Sequence, residues 1–265
     1  MRFPGPGQGR HWVSERRPLL SLDPELGCYL TPERRAAVAP LLWTIIVDVP
    51  CGEWNIAARR LGIGVLVVGG LLAREVRVRD TTSAELLGAG DLIRSPADDG
   101  PAVLPAPVRS TVLQPVTAAL LDASVARVFV RFPELMMAAL DRVNAHAQRL
   151  AVTQAISHIT GVDRRLEALF WHLADRWGKV TPNGVVVPVR LSHRLLGSLV
   201  GARRPTVTTA LAQLAEDGRV LPYGLEGWLL RGAAPRSSDF DALEAAPLPS
   251  AGVRPVPRPR VRSAA

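Results

Sequence analysis

The spacing of hydrophobic positions changes character along the chain, and each change predicts a different kind of element. Between Leu41 and about Ser124, apolar residues come in short runs punctuated by glycine: Trp43-Thr-Ile-Ile-Val47, Gly64-Val-Leu-Val-Val-Gly-Gly70, the alternating Arg74-Glu-Val-Arg-Val-Arg79, and Leu86-Leu-Gly-Ala-Gly-Asp-Leu-Ile93. Closely spaced runs with turn residues between them predict the strands of a small β-barrel or roll. From Pro133 to about Ile159 the spacing turns helical. Met136, Leu140, Val143, Ala147 and Leu150 recur at alternating intervals of four and three, which is a heptad seam. Such a seam fits either pairing with a second copy or an ordinary amphipathic helix lying on its own domain, and its polar continuation at Gln154 and Ser157 weakens the pairing. Gly161 is placed to cap this helix and Asp163 to open another, whose stripe Leu166, Leu169, Phe170, Leu173 and Trp177 predicts the core of a C-terminal domain. His172, beside that stripe, reads as a structural histidine rather than a ligand.

A compact helical unit follows, from Leu191 to Leu214. Ser192 is a good N-cap, and Leu195, Leu196, Leu199 and Val200 put apolar side chains on one side of a short helix, with His193, Arg194 and Ser198 on the other. Gly201 stands where the chain must take a left-handed conformation, so the helix ends there. Pro205 suits the first turn of a new helix, whose stripe is Val207, Ala210, Leu211 and Leu214. Pro205, Thr208, Thr209 and Ala212 then face outward with Arg204 on the flank. An outward face of arginine, threonine and small residues suits a DNA major groove. Any small helical hairpin, however, needs a glycine turn and two apolar stripes.

The flanks favour the DNA reading. Lys179 to Leu191 predicts two short strands joined at Pro182-Asn-Gly184, and Arg219 to Arg231 predicts a second hairpin. Hairpin, helix-turn-helix, hairpin is the order of a winged helix.

With these motifs in place, the chain resembles the Crp/Fnr family of bacterial transcription regulators. The resemblance is strongest from about Gly161 to Gly232, through Leu166-Glu-Ala-Leu-Phe-Trp-His-Leu-Ala-Asp-Arg-Trp-Gly178 and Leu199-Val-Gly-Ala-Arg-Arg-Pro-Thr-Val-Thr-Thr-Ala-Leu211. It implies base-facing roles for Arg204, Pro205 and Thr209, and places near phosphates for Ser192, Arg203 and Thr206. Pro205 stands where the family commonly has a glutamate, and Thr209 where an arginine is frequent, so the usual target sequence does not carry over. More weakly, the N-terminal runs resemble the family's cyclic-nucleotide-binding-like roll, with Gly88-Ala-Gly-Asp91 at a similar Gly-Asp turn.

In nucleotide-binding relatives that turn leads to a phosphate cassette, a Gly-Glu pair opening a short helix and then an Arg-Ser or Arg-Thr pair. Helix N–H groups and an arginine grip the phosphate while the glutamate holds the ribose. Here Ile93 to Pro107 has no Gly-Glu pair, and its prolines disfavour a helix. Arg109-Ser110 resembles the later pair, although a surface arginine before a strand describes it better. The expectation is no binding of cyclic AMP in the family manner.

Composition adds limits. A chain of 265 residues accommodates two modest domains, and a formal net charge of +8 supports an anionic partner. Lys179 is the sole lysine, so a general preference for arginine explains part of that charge. With only Cys28 and Cys51, neither a disulfide framework, a zinc ribbon nor a four-cysteine iron-sulfur site is expected. No signal-peptide core and no apolar run of roughly 20 residues occurs, which predicts a cytoplasmic protein without a membrane segment.

The sequence thus predicts an α+β chain: a disordered N-terminus over 1–20, a β-roll over 21–132, a connecting and dimerisation helix over 133–160, a winged helix over 161–232, and a disordered Pro/Arg-rich tail over 233–265. The expected function is sequence-specific transcription regulation, with double-stranded DNA and a second copy as partners and RNA polymerase as a further candidate. The expected DNA-contacting residues are Ser192, His193, Arg203, Arg204, Pro205, Thr206, Thr208 and Thr209. A competing reading is a winged-helix adaptor that binds protein or a small molecule, although large apolar or aromatic anchors would then be expected on the outward face. No catalytic residue, metal site or cofactor is expected. The five histidines, His11, His146, His158, His172 and His193, lack metal-ligand spacing with carboxylates, and no nucleophile elbow or P-loop occurs.

Overall fold

The computed structural model describes residues 14–54, 62–94, 103–224 and 227–235. In chain order the elements are β1 (Ser14–Pro18), α1 (Leu19–Leu22), a 3-10 turn (Pro24–Gly27), α2 (Pro32–Val38), β2 (Trp43–Val49), β3 (Gly52–Glu53), β4 (Gly64–Val78), β5 (Thr81–Gly88), β6 (Leu92–Ile93), β7 (Val108–Leu121), α3 (Ala123–Arg131), α4 (Pro133–His158), α5 (Val162–Trp177), β8 (Lys179–Thr181), β9 (Gly184–Val187), α6 (His193–Val200), α7 (Arg204–Glu216), β10 (Val220–Tyr223) and β11 (Gly227–Leu230). All of this lies in one compact unit that ends at Gly232; residues 233–265 form a second unit, described only to 235.

The N-terminal sheet is antiparallel, in the order β1-β2-β7-β4-β5, with β3 on β7 and β6 on β4. Two expectations change here. Composition places residues 1–20 outside the fold, yet Ser14–Pro18 pairs with β2 and Leu19 is fully buried. Backbone pairing and one buried leucine outweigh a polar, Arg-rich stretch; residues 1–13 lie outside the described chain. The runs 64–70 and 74–79, which read as separate strands, are one 15-residue strand. Its register against β7 shifts between Val67 and Leu72, so Gly69 and Gly70 mark bulges rather than a turn.

Those bulges reset which way the strand faces. Beyond them, Leu72 joins the roll core with Val65, Val67, Leu87, Val112 and Val116, whereas Leu71 and Ala73 join the core of the C-terminal domain. Across the β4–β5 ladder the pairs Leu72↔Leu87, Arg74↔Glu85 and Val76↔Ser83 occupy one face, and Ala73↔Leu86 and Glu75↔Ala84 the other. Ala84 and Leu86 also belong to the C-terminal core. The hairpin is therefore a single layer shared by two cores.

Helix α3, not foreseen in the sequence, starts at Asp122, whose carboxylate accepts the N–H groups of Ser124 and Val125. It packs with α4 through Val125, Phe129, Leu135, Ala138 and Ala139 against the outer side of the roll. Helix α4 covers the expected long-helix region. Gly161, at φ 95°, lies outside the right-handed region and serves as the N-cap of α5, while α4 ends at Ile159. In the C-terminal part β8, β9 and β11, β10 form one four-stranded sheet in the order β10-β11-β9-β8, so the two expected hairpins join through β9 and β11. Residues 225–226, at the tip of the second hairpin, lie outside the described residues, as do 236–265.

Candidate nucleic-acid interface

Ser192 caps α6: its Oγ accepts the Leu195 N–H at 3.2 Å. The helix ends at Gly201, which takes φ 65° and ψ 42°, a left-handed conformation costly for a residue with a side chain. The turn is tight enough that a Cβ on Gly197 would stand 2.5 Å from the Ala202 carbonyl oxygen. Arg165, from α5, braces this end by donating from Nε to the Ile159 carbonyl at 2.6 Å and from Nη1 to that of Val200 at 3.2 Å. Glycine at these positions and the arginine beneath them fix the angle at which α7 leaves.

Helix α7 starts from Arg203 as N-cap, with Pro205 in its first turn. Val207, Ala210, Leu211 and Leu214 are buried against α5 and α6, so Arg203, Arg204, Pro205, Thr206, Thr208 and Thr209 are all exposed on one outer side. Neither Arg203 nor Arg204 makes an ion pair among the described residues. The threonines are more constrained than their sequence suggests. Thr208 Oγ1 donates to the Arg204 carbonyl at 3.1 Å and Thr209 Oγ1 to that of Pro205 at 3.3 Å. His193 Nδ1 lies 2.9 Å from Thr208 Oγ1. The pair ties α6 to α7 across the outer surface. Seven of the eight expected residues thus share one surface with His193, which is half-buried at its edge.

Where the roll meets α4 and α5 lies an arrangement that the sequence did not reveal. The Gly88–Asp91 turn of the roll is held by three arginines. Arg142 of α4 donates to the Gly90 carbonyl at 3.3 Å, Arg149 of α4 pairs with Asp91 Oδ1, and Arg176 of α5 reaches Asp91 Oδ2 at 2.7 Å and the Ala89 carbonyl at 2.6 Å. Asp91 is 1% exposed and also accepts the Gly88 N–H at 2.8 Å. Beside it, His146 Nε2 stands 3.0 Å from Glu85 Oε2, and Glu85 also pairs with Arg74. Burial raises the Glu85 pKa, but the bonds from His146 and Arg74 outweigh it and hold the carboxyl below its usual value. Burial pushes the His172 imidazole down. A second bridge joins Arg194 to Glu75, at 2.7 and 3.1 Å, one to each carboxylate oxygen. Only the Gly-Asp turn had a sequence signal; partners 58, 85 and 119 residues away had none.

A cavity of about 500 Å³ opens on the roll side of the β4–β5 hairpin, lined by Arg74, Val76, Ser83, Glu85, Arg94 and Leu150 among others. Arg109 is not among its walls: it sits in β7, largely exposed, 3.5 Å from Glu53. Of the stretch compared with a phosphate cassette, residues 95–102 lie outside the described chain. Among the described residues no cluster of three or more His, Cys, Asp or Glu side chains is arranged to hold a metal ion, and no helix is long and apolar enough to cross a membrane.

Residues 164–226 match the Crp-like helix-turn-helix domain family. The C-terminal part is thus a Crp-like helix-turn-helix domain. By sequence alone, no curated protein matches the chain. Among solved structures, the fold is similar to that of a CooA mutant from Carboxydothermus hydrogenoformans, with a TM-score of 0.56 and 14% identity over 83% of this chain and 94% of that one. It is similar also to a CRP-family transcriptional regulator from Thermus thermophilus, with a TM-score of 0.54 and 17% identity over 75% and 94%. A cyclic nucleotide-binding domain containing protein from Listeria monocytogenes aligns at 0.59 with 15% identity over 78% and 96%. At these identities the structures establish the shared α+β fold, and the domain match identifies the C-terminal part as the DNA-binding one. The domain match supports a DNA-binding transcription regulator.

Proposed function

We propose that this Crp/Fnr-type protein is a cytoplasmic homodimer that reads a specific double-stranded DNA sequence through α7, acts with RNA polymerase, and does not respond to cyclic AMP. The observation that carries the reading is the outer side of α7, where Arg203 and Arg204 stand exposed and, among the described residues, without acidic partners above a buried apolar stripe. Arg204, in the first turn, is the base reader, by paired hydrogen bonds to a guanine edge. Arg203 at the N-cap, Ser192, His193 and Thr206 lie toward the phosphates. Pro205 presents an apolar edge. Because the hydroxyl protons of Thr208 and Thr209 go to backbone carbonyls, these residues offer the bases methyl groups and an acceptor rather than donors. Helices α6 and α7 contain no Phe, Trp or Tyr, the large anchors a protein-binding surface uses.

Two further observations support the finer parts. On α4, Leu140 is 64% and Val143 52% exposed, and Met136, Ala147 and Leu150 are exposed with them, so the heptad seam lies uncovered by its own domain. A second α4 is the complementary surface. Against cyclic AMP stand the missing Gly-Glu pair and the outward position of Arg109.

Selection of bound sequences from a random duplex pool tests the DNA reading. Enrichment of two related half-sites about one helical turn apart is expected; an unenriched pool overturns it. For the dimer, Leu140→Glu with Val143→Glu is expected to give a monomer in light scattering, and a dimer of unchanged mass would refute α4 as the seam. Binding of cyclic AMP at micromolar concentration in a calorimetric titration would contradict the last part.

A further inference from the structure

The DNA-binding domain touches the roll through more than apolar packing. Helix α6 rests on the β4–β5 hairpin, with Leu195 and Leu199 in the same core as Leu71, Ala73 and Leu86. At the edge of that contact Arg194, in the first turn of α6, grips both oxygens of Glu75. The two partners differ in setting. The Glu75 side chain is 9% exposed and that of Arg194 65%, so the carboxylate is fixed in the hairpin while the guanidinium remains open to solvent.

The position of this pair matters because of its neighbours. Ser192 and His193 directly precede Arg194, and His193 bonds to Thr208 on the outer side of α7. DNA lying against that side brings phosphate charge to the N-terminal turn of α6, which already favours an anion through its helix dipole. A carboxylate fixed there repels the phosphates, and it also occupies the arginine best placed to meet them. Both effects act in one direction.

We infer that the Glu75–Arg194 bridge is an autoinhibitory latch: it holds the helix-turn-helix on the hairpin of the roll, and the DNA backbone competes with Glu75 for Arg194. The inference rests on the DNA-binding reading above. The three-arginine clasp on the Gly88–Asp91 turn is the permanent anchor, buried and doubly satisfied, whereas the latch has one solvent-facing partner and opens first. Release leaves the Glu75 carboxylate on the hairpin and a free cation at the α6 terminus, and lets α6 lift from Leu71 and Leu86.

The test uses the full-length chain with a random-sequence duplex at fixed low salt, together with amide hydrogen exchange on the DNA-free protein. Glu75→Gln keeps the size of the side chain and removes its charge; Arg194→Gln breaks the same bridge without adding positive charge. Glu33→Gln, on the exposed side of α2, controls for the change in net charge. Glu75→Gln is expected to bind about fivefold more tightly than the unaltered chain, and Glu33→Gln less than about twofold. Both bridge variants are expected to exchange faster in α6, and Glu33→Gln is not. If Glu75→Gln binds no more tightly than Glu33→Gln, or if α6 exchange is unchanged in both bridge variants, the latch is refuted. If no form of the chain binds any duplex, the DNA reading fails, and α6 exchange alone then decides whether the bridge restrains the domain.

Discussion

Arginines serve opposite purposes in two regions of this molecule. Along the seam between roll and C-terminal domain, Arg149, Arg176 and Arg194 are each paired with a carboxylate of the roll, and the carboxylates are the buried partners. On the outer side of α7, Arg203 and Arg204 have no such partner among the described residues. The difference shows that net charge describes this chain poorly. Among the described residues eight arginines are held in ion pairs, and what reaches a ligand is set by where carboxylates are absent.

Both kinds of arginine can be probed by substitution. The largest effect is expected from Asp91→Asn, which leaves two part-buried guanidiniums facing a neutral amide. Breaking a buried pair by losing one partner costs about 3 kcal/mol, so thermal unfolding should move several degrees downward; an unchanged Tm would mean that the clasp contributes nothing. Next comes Arg204→Ala, which should lose about 2 kcal/mol on the selected site and much less on random duplex. Fluorescence anisotropy at one salt concentration separates the two, and equal losses on both DNAs would remove Arg204 as a base reader. Arg203→Ala should weaken binding evenly on both, by about 1 kcal/mol, and lower the salt dependence by about one counterion. A loss confined to the selected site would reverse its assignment.

The smallest effect concerns pH. His172 lies near Arg149 in the seam, and burial lowers its pKa below the ordinary 6.5. Between its folded and unfolded values the unfolded chain binds the extra proton, so stability rises with pH in that interval. It is therefore present above 6.5 and lost as pH falls from there through the lower folded value. Urea unfolding measured from neutral to mildly acidic pH should show a decline that His172→Gln reduces; identical declines in both proteins would assign the effect elsewhere.

What the sequence made legible was local. Ser192, Gly201, Pro205 and the two apolar stripes determine the helix-turn-helix within some twenty positions, because caps and periodicity act between near neighbours. The seam of α4 was legible for the same reason. Less legible was β4, where the pair Gly69-Gly70 looks like a turn and only pairing with β7 shows it to be a bulge. Residues 14–17 are Ser, Glu and two Arg, and only β2 gives them a place in the sheet. Least legible were Arg149, Arg176 and Arg194. Each sits in a helix as an ordinary polar position, and nothing nearby in sequence indicates a carboxylate far back along the chain. The threonines of α7 were legible as outward residues, but the direction of their hydroxyl protons depended on backbone geometry.

The β4–β5 hairpin has a consequence for how this chain tolerates length changes. Alternate residues in each arm serve the cavity of the roll and the docked helix, so a one-residue deletion within either arm inverts both assignments at once. With the deletion in β4 ahead of Arg74, Arg74 would point at α6, Glu75 into the cavity, and Arg194 would meet a like charge. Substitution can alter one face at a time, but insertion or deletion cannot, and the hairpin is therefore the segment of this protein where gaps should be least acceptable.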